Sequence, residues 1–421
     1  MPSPTEASES NDPFEEAKRL FLEGLGCLED GRFEQAEQRF QSSLALQPGR
    51  ISTLINLAAS QLELARPLEA LACADQVLEK EADNIDAWFH RGTALELLDR
   101  HEEALAGFGR VLAIDGELAE PWYRRGQVLQ RLKRPEQALA SFDRALALDP
   151  ALGRAWSHRG GILQELKRLG EAAESFRQAL AHGADPDLNR YYLAAAGAGR
   201  PPAAAPPAYV KTLFDDYAGE FDDHLVKVLH YRAPSTLVTH LQAIAAQPFR
   251  SALDLGCGTG LCGPLLKPMV QQIKGVDLSG RMLEKARARG TYAQLVQAEI
   301  VEFLSSTQEF YDLVVAADVF IYIGNLEPVF RGVRRAMATP GQGLANPPIS
   351  REALFCFSAE VARPGVQDFE LLPSLRYAHA EGYLRRLAQA HDFDIVRIVH
   401  EPIREDQREV IDGMFAYLKP R

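Results

Sequence analysis

SALDLGCGTGLCGPLL, residues Ser251–Leu266, decides how the second half of this 421-residue chain folds. It opens as a short apolar strand and breaks into glycines after Asp254. Two patterns overlap in it. Gly258, Gly260 and Gly263 spell GxGxxG, the signature of a turn that cradles a dinucleotide pyrophosphate. Asp254, Gly256, Gly258 and Gly260 spell DxGxGxG, which points to a different ligand. In either case the glycines let the backbone turn sharply and let a ligand approach the main chain. Outward from this loop, short apolar runs alternate with helical stretches. Candidate strands are SALDLG (251–256), QIKGVD (272–277), QLVQAE (294–299), YDLVVAAD (311–318), ALFCFS (353–358), DIVRIVH (394–400) and GMFAYLK (413–419). Helices are expected at SGRMLEKARARG (279–290), with Ser279 as N-cap and Gly290 as stop, and at AEGYLRRLAQAH (380–391). This alternation predicts a parallel, doubly wound α/β sheet. Only EPIREDQREVID joins the last two strands, which is short for a crossover helix, so they are expected to pair as an antiparallel hairpin.

The second strand ends in Asp277, whose carboxylate can accept both ribose hydroxyls of an adenosine group. That serves a dinucleotide and S-adenosylmethionine alike. Asp254 separates them: a carboxylate repels phosphates and attracts an ammonium or a sulfonium. Glu299, after Ala298 at the end of the third strand, can accept the adenine amino group. The stretches LDLGCGTG, GVDLSGRMLEKAR and YDLVVAADVFIYIGNL resemble the first, second and fourth motifs of the class I S-adenosylmethionine-dependent methyltransferases. The resemblance covers about residues 208–421. It implies a Rossmann-like fold with a seven-stranded mixed sheet and a C-terminal antiparallel hairpin. It also implies S-adenosylmethionine as cofactor, held by Asp254, Gly256, Cys257, Gly258, Gly260, Asp277, Leu278, Met282, Ala298, Glu299 and Ile300, with Leu278 and Met282 flanking the adenine. On this reading the overlapping GxGxxG is accidental. One departure follows the fourth strand. ATPGQG leads into LANPPISREA (344–353), read as a loop insertion; its NPPI only superficially resembles the NPPY of amino-group methyltransferases, which belongs where this chain has Asp318.

The first half is a repeat. Trp88, Trp122 and Trp156 lie 34 residues apart. Gly24, Ala58, Gly92, Gly126 and Gly160 share that period, as do Ala36, Ala70, Ala104, Ala138 and Ala172. Phe40, Phe108, Phe142 and Phe176 obey it too, with Ala74 in the missing place. Each unit reads as two antiparallel helices whose small residues mark the closest approach, and no unit can bury its apolar face alone. The pattern resembles the tetratricopeptide repeat, with five units and a capping helix around DLNRYYLAAAG (187–197). The expected division is a disordered tail (1–16), repeats (17–198), a stiff Pro/Ala linker (199–208) and the methyltransferase domain (209–421). As a whole the chain resembles bacterial methyltransferases that carry N-terminal tetratricopeptide repeats, among which FDDYAxxFDxHL and RYAH segments recur; these match Phe214–Leu225 and Arg376–His379. The repeat family's groove positions carry over to Phe21, Leu25, Leu28, Ile55, Ala59, Leu62, Phe89, Thr93, Tyr123 and Gln127. They lack the Lys and Asn that clamp a C-terminal carboxylate, so the expected partner is an apolar peptide or helix; packing within the chain is the competing account.

A formal charge of −12 speaks against general affinity for nucleic acid or anionic membrane. The acidic first residues show no signal peptide, no apolar run is long enough for a membrane span, and five scattered cysteines suit reduced thiols. A cytoplasmic protein is expected. Methyl transfer needs alignment and exclusion of water more than a dedicated base, so catalytic residues are harder to foresee than the cofactor site. Candidates are Asp318 and Tyr322 after the fourth strand, and Tyr377 and His379 near the hairpin, with His379 as possible base. Tyr209, Phe214, Tyr217 and His224 are expected to cover the cleft. Cys257 and Cys262 read as packing thiols rather than metal ligands. The leading expectation is methyl transfer from S-adenosylmethionine to an unidentified acceptor, the repeats recruiting a protein or peptide substrate or a partner. The competing functions are small-molecule methylation with the repeats as lid or dimerisation arm, and a scaffold that binds S-adenosylmethionine without turnover.

Overall fold

The computed structural model describes residues 12–219, 221, 231–245, 248–337, 353–406 and 409–421. It divides into two compact units, Met1–Asp185 and Pro186–Arg421.

The first unit is five helix pairs: Pro13–Glu29 with Phe33–Leu46, Ile51–Glu63 with Pro67–Leu78, Ile85–Leu97 with His101–Ile114, Ala119–Arg131 with Pro135–Leu148, and Gly153–Glu165 with Leu169–Ala181. Each glycine of the small series lies under its partner phenylalanine. A Cβ on Gly24, Gly92, Gly126 or Gly160 would come within 2.4–2.9 Å of the ring of Phe40, Phe108, Phe142 or Phe176. The second pair exchanges both partners at once, Ala58 and Ala74, so small-against-large becomes medium-against-medium and both stay buried. The tryptophans have a local task. Their indole N–H groups donate to Ala82 O, Gly116 O and Pro150 O at 2.8–2.9 Å, fastening the turn before each helix. Arg91, Arg125 and Arg159 lie over those rings at 5.5–5.6 Å. A further series at the same period closes each first helix in the left-handed region: Gly31, Ala65, Asp99, Lys133 and Lys167. Only the first of these is the residue type that favours it.

Among the described residues, the second unit is built on a sheet of nine strands: β1 (Phe249–Leu255), β2 (Val270–Asp277), β3 (Gln294–Gln297), β4 (Leu313–Ala316), β5 (Leu354–Val361), β6 (Phe369–Leu371), β7 (Tyr377–His379), β8 (Phe393–Asp406) and β9 (Glu409–Pro420). The order β3-β2-β1-β4-β5 is parallel; β9 then runs antiparallel to β5, and β8 antiparallel to β9. The expected mixed sheet with its terminal hairpin is therefore present. The hairpin strands swallow most of the expected connection. β6 and β7 are additional: β5 outruns β4, whose pairing ends at Phe357, and β7 joins β5 at Glu360 and Val361. Helices cover both faces, as in-register runs such as Leu313–Ala316, buried throughout, require. Among the described residues no helix is long and apolar enough to cross a membrane.

Three boundaries differ from expectation. The first helix starts at Pro13, capped by Asp12, so 13–16 is not tail. The presumed cap of the repeats, helix Pro186–Ala195, belongs to the second unit, where Tyr191 packs on Tyr377 and Tyr209 at 6.2 and 5.5 Å between ring centres. The Pro/Ala segment is no free spacer either. Ala205 N–H donates to Tyr322 O at 2.9 Å, and Ala203 O accepts from Gly324 and Asn325 at 2.9 and 2.8 Å. Its prolines keep it extended, and its alanines let the backbone lie flat on the loop after β4. Residues 344–352 of the insertion and His224 lie outside the described residues.

Candidate active site

A cavity of about 840 Å³ opens at the C-terminal ends of the parallel strands, wholly within the second unit. This is where ligands lodge in open α/β sheets.

One wall is the glycine loop. Gly256 and Gly258 sit at φ +64° and +54°, and a Cβ on Gly256 would lie 2.2 Å from the Val319 side chain. Glycine is needed there both for conformation and for space. Asp277, ending β2, accepts from Gly258 N at 2.8 Å and from Ser279 N at 2.9 Å, so it holds the loop in shape as well as facing the cavity. Asp254 is 1% exposed and accepts from the Tyr292 hydroxyl at 2.7 Å. Burial pushes its carboxyl up to about 7; the Tyr292 bond opposes this and the Asp277 charge adds to it. Burial likewise raises Asp277 and the Cys257 and Cys262 thiols. Glu299 uses one oxygen to cap the helix Ile300–Ser306, accepting from Glu302 N at 2.8 Å. Between Asp254 and Val301 the described lining carries three carboxylates and no lysine or arginine. Such a wall attracts a cationic ligand and repels a pyrophosphate.

Of the expected cofactor residues, Asp254, Gly256, Cys257, Gly258, Asp277, Leu278, Ala298, Glu299 and Ile300 line this cavity. Gly260 and Met282 do not. Gly260 gives room to Tyr292 and Ala286 behind the loop, and Met282 is wholly buried in the core.

The other wall follows β4. Asp318 stands in the left-handed region at φ +57° and is gripped by Arg404, whose Nη1 lies 2.8 and 2.6 Å from its two oxygens. The second Arg404 nitrogen pairs with Glu360. Burial works against the charge on Arg404, and the two carboxylates more than offset it. Asp318 thus fixes the loop, the second of the two roles open to it from sequence. Arg404 arrives there through a register shift in the hairpin between Pro402 and Arg404, which turns both Ile403 and Arg404 inward; Gly413 leaves the space for Ile403. Tyr322 lines the cavity, bonded to Arg376, with the Phe214 ring edge-on at 5.4 Å. Tyr231 stands on the same wall.

Tyr377 and His379 are corrected by the structure. The Tyr377 hydroxyl donates to Pro202 O at 2.9 Å, anchoring the Pro/Ala strap from below. His379 is fully buried, its Nε2 2.9 Å from Ile323 O and 3.1 Å from Gly324 O, its ring parallel to Tyr383. Burial drives its imidazole down to about 4. Neither residue lines the cavity, and no described histidine does. His379 closes β7 and faces the core, so it is unsuited to take a proton from an acceptor.

The cover is the strap together with helix Pro207–Tyr217. Phe214 and Tyr217 face the cavity and both pack on Phe221, at 5.9 and 5.4 Å. Its far end is tied to the cofactor wall: Ser279 Oγ donates to Asp215 at 2.5 Å, and Arg281 to Asp215 O at 3.1 Å. Tyr209 packs instead with Tyr191 and Tyr192. Tyr292, Tyr231 and Arg404 escaped the sequence reading because each meets its partners across a long chain separation.

Among the groove positions of the repeat unit, Phe21, Leu25, Ile55 and Phe89 are half-buried, but Tyr123 is only 4% exposed and lies under the Arg154 guanidinium at 4.6 Å. Tyr123 therefore offers no ring to a partner.

Residues 252–341 match the model of a methyltransferase domain, and 55–119, 119–152 and 153–181 match models of the tetratricopeptide repeat. Methyltransferase-like protein 27 of Homo sapiens is 41% identical over 85 residues, 20% of this chain and 34% of that protein. Nodulation protein S of Rhizobium tropici is 28% identical over 89 residues, 20% of this chain and 37% of that one. The chain spans less than half the length of the curated relatives it matches. A solved thermophilic TPR protein of Thermus thermophilus aligns at 22% identity over 43% of this chain and 98% of its own, with a TM-score of 0.37. The chain joins tetratricopeptide repeats to a methyltransferase-family domain.

Proposed function

We propose that the second unit transfers a methyl group from S-adenosylmethionine to an acceptor held under the strap, and that the repeats bind a protein partner in the cytoplasm. The observation that carries this reading is the wall of three carboxylates at a glycine turn. It suits the cationic ends of S-adenosylmethionine, and it falls inside the segment that matches the methyltransferase model. When bound, the cofactor supplies the methyl as an electrophile. Asp277 receives the ribose hydroxyls, Glu299 with Leu278 and Ile300 the adenine, and Asp254 the positively charged methionine portion. Phe214, Tyr217 and the strap exclude water, and Asp318, fixed by Arg404, holds the loop carrying Tyr322 against the acceptor. No described histidine stands ready as a base, so the acceptor atom must react without one from that source. The half-buried apolar positions Phe21, Leu25, Ile55 and Phe89 support the partner role of the repeats.

The test is calorimetric titration of the full chain with S-adenosylmethionine, S-adenosylhomocysteine and NAD, alongside Asp277→Ala. The first two are expected to bind and the variant to lose them. Binding of NAD alone overturns the reading and restores GxGxxG as the true signature.

A further inference from the structure

The acceptor end of the cavity differs in chemistry from the cofactor end. Its walls are apolar, from Val210, Leu213 and Phe214 of the cover helix to Ile321 and Ile323 of the loop after β4. Three cationic side chains line the cavity: Arg190, largely exposed and paired with Asp187 at 3.6 Å, and the less exposed Arg376 and Arg404. Arg376 and Arg404 both act on the Tyr322 hydroxyl, to which Arg376 is also hydrogen-bonded. The acids at this end are already paired with arginine: both oxygens of Asp318 with Arg404, and Asp187 with Arg190. Arg404 is only 3% exposed, yet its Nε is buried with no hydrogen-bond partner among the described residues. That nitrogen is closed off from the cavity as well as from solvent, so it is Arg376 that presents a guanidinium to a ligand beside Tyr322, with Arg404 behind the wall. The volume limits size. At about 840 Å³ the cavity lies within the roughly 300–1,000 Å³ of a single ligand site, so cofactor and acceptor must share it.

We propose that the acceptor is a small, mainly apolar molecule bearing one carboxylate, seated with that carboxylate at the Tyr322 hydroxyl and Arg376. This rests on the methyl-transfer reading above. A planar guanidinium suits a carboxylate by charge and by geometry, and the apolar walls accept the remainder. The repeats then hold a partner rather than the acceptor itself.

The experiment uses the full chain saturated with S-adenosylhomocysteine and three probes of equal shape: 3-phenylpropionate, 3-phenylpropanol and 3-phenylpropylamine, each titrated by calorimetry. The carboxylate is expected to bind at least tenfold more tightly than the alcohol or the amine. Arg376→Gln should abolish that preference and Arg376→Lys should keep part of it. S-adenosylhomocysteine affinity, measured on each variant, reports whether the site is still formed; if Arg376→Gln does not fold, Tyr322→Phe should weaken the preference instead. Equal affinities, preference for the amine, or no binding of any probe to the loaded protein overturns the carboxylate subsite while leaving the methyl-transfer reading intact. Failure of S-adenosylhomocysteine to bind overturns that reading, and the subsite with it.

Discussion

Asp254→Asn should stabilise the ligand-free second unit, increasingly so as pH rises. The carboxyl is 1% exposed and its ionisation is pushed from 3.8 up to about 7, chiefly by burial. A group raised in this way favours the folded state when protonated. Its contribution is intact below 3.8 and is lost as pH climbs through 7. At about 1.36 kcal/mol per pH unit, the ionised group costs the fold about 4 kcal/mol at pH 8 and about 2 kcal/mol at pH 5. Asparagine keeps an oxygen for the Tyr292 hydroxyl and does not titrate. Whatever the amide costs locally is the same at both pH values, so the variant's advantage over the parent should grow by about 2–3 kcal/mol from pH 5 to pH 8. All three tryptophans lie in the repeats, so the readout must come from the sheet. Cys356, on β5 and fully buried, serves: its labelling by a thiol reagent reports opening of the sheet. The intrinsic pH dependence of thiolate reactivity cancels in the ratio of variant to parent. That ratio is expected to shift by a factor of about 30–150 towards protection of the variant between the two pH values. A ratio that stays flat with pH refutes the reasoning, because the buried carboxylate would then carry no ionisation cost.

The same residue predicts that S-adenosylmethionine, being cationic, draws a proton off Asp254 on binding. Its affinity should fall as pH drops below about 7 while that of uncharged adenosine stays level, measured by titration across pH. In the repeats, Ala74→Phe alone should destabilise by about 1–3 kcal/mol through overpacking. Adding Ala58→Gly should recover most of it by recreating the Gly–Phe pairing of the other units, read by tryptophan fluorescence in urea. Arg404→Met should cost about 3–5 kcal/mol by leaving the carboxylates of Asp318 and Glu360 buried without their partner, again read at Cys356.

The repeats and the core strands were legible in the sequence because both rest on local rules. A helix pair that meets its neighbour in the same way each time must place Gly24, Gly92 and Phe108 at one fixed period, and a strand covered on both faces must read as a continuous apolar run. The glycine loop was legible for a similar reason: residues 254–260 act on one another within a single turn. What the tertiary structure alone decided involves residues that meet across long stretches of chain. Arg404 reaches Asp318 over 86 positions, and Tyr292 reaches Asp254 over 38, with no spacing to announce either. His379 looked like a base from its residue type, but its fate turned on β7 docking against the end of β5, which buries it under the Ile323 and Gly324 carbonyls. The Pro/Ala segment looked like a spacer by composition, and became a strap because the loop after β4 presents matching main-chain groups. Period and composition are properties of neighbours along the chain; burial, pairing and the ionisation that follows from them belong to neighbours in space.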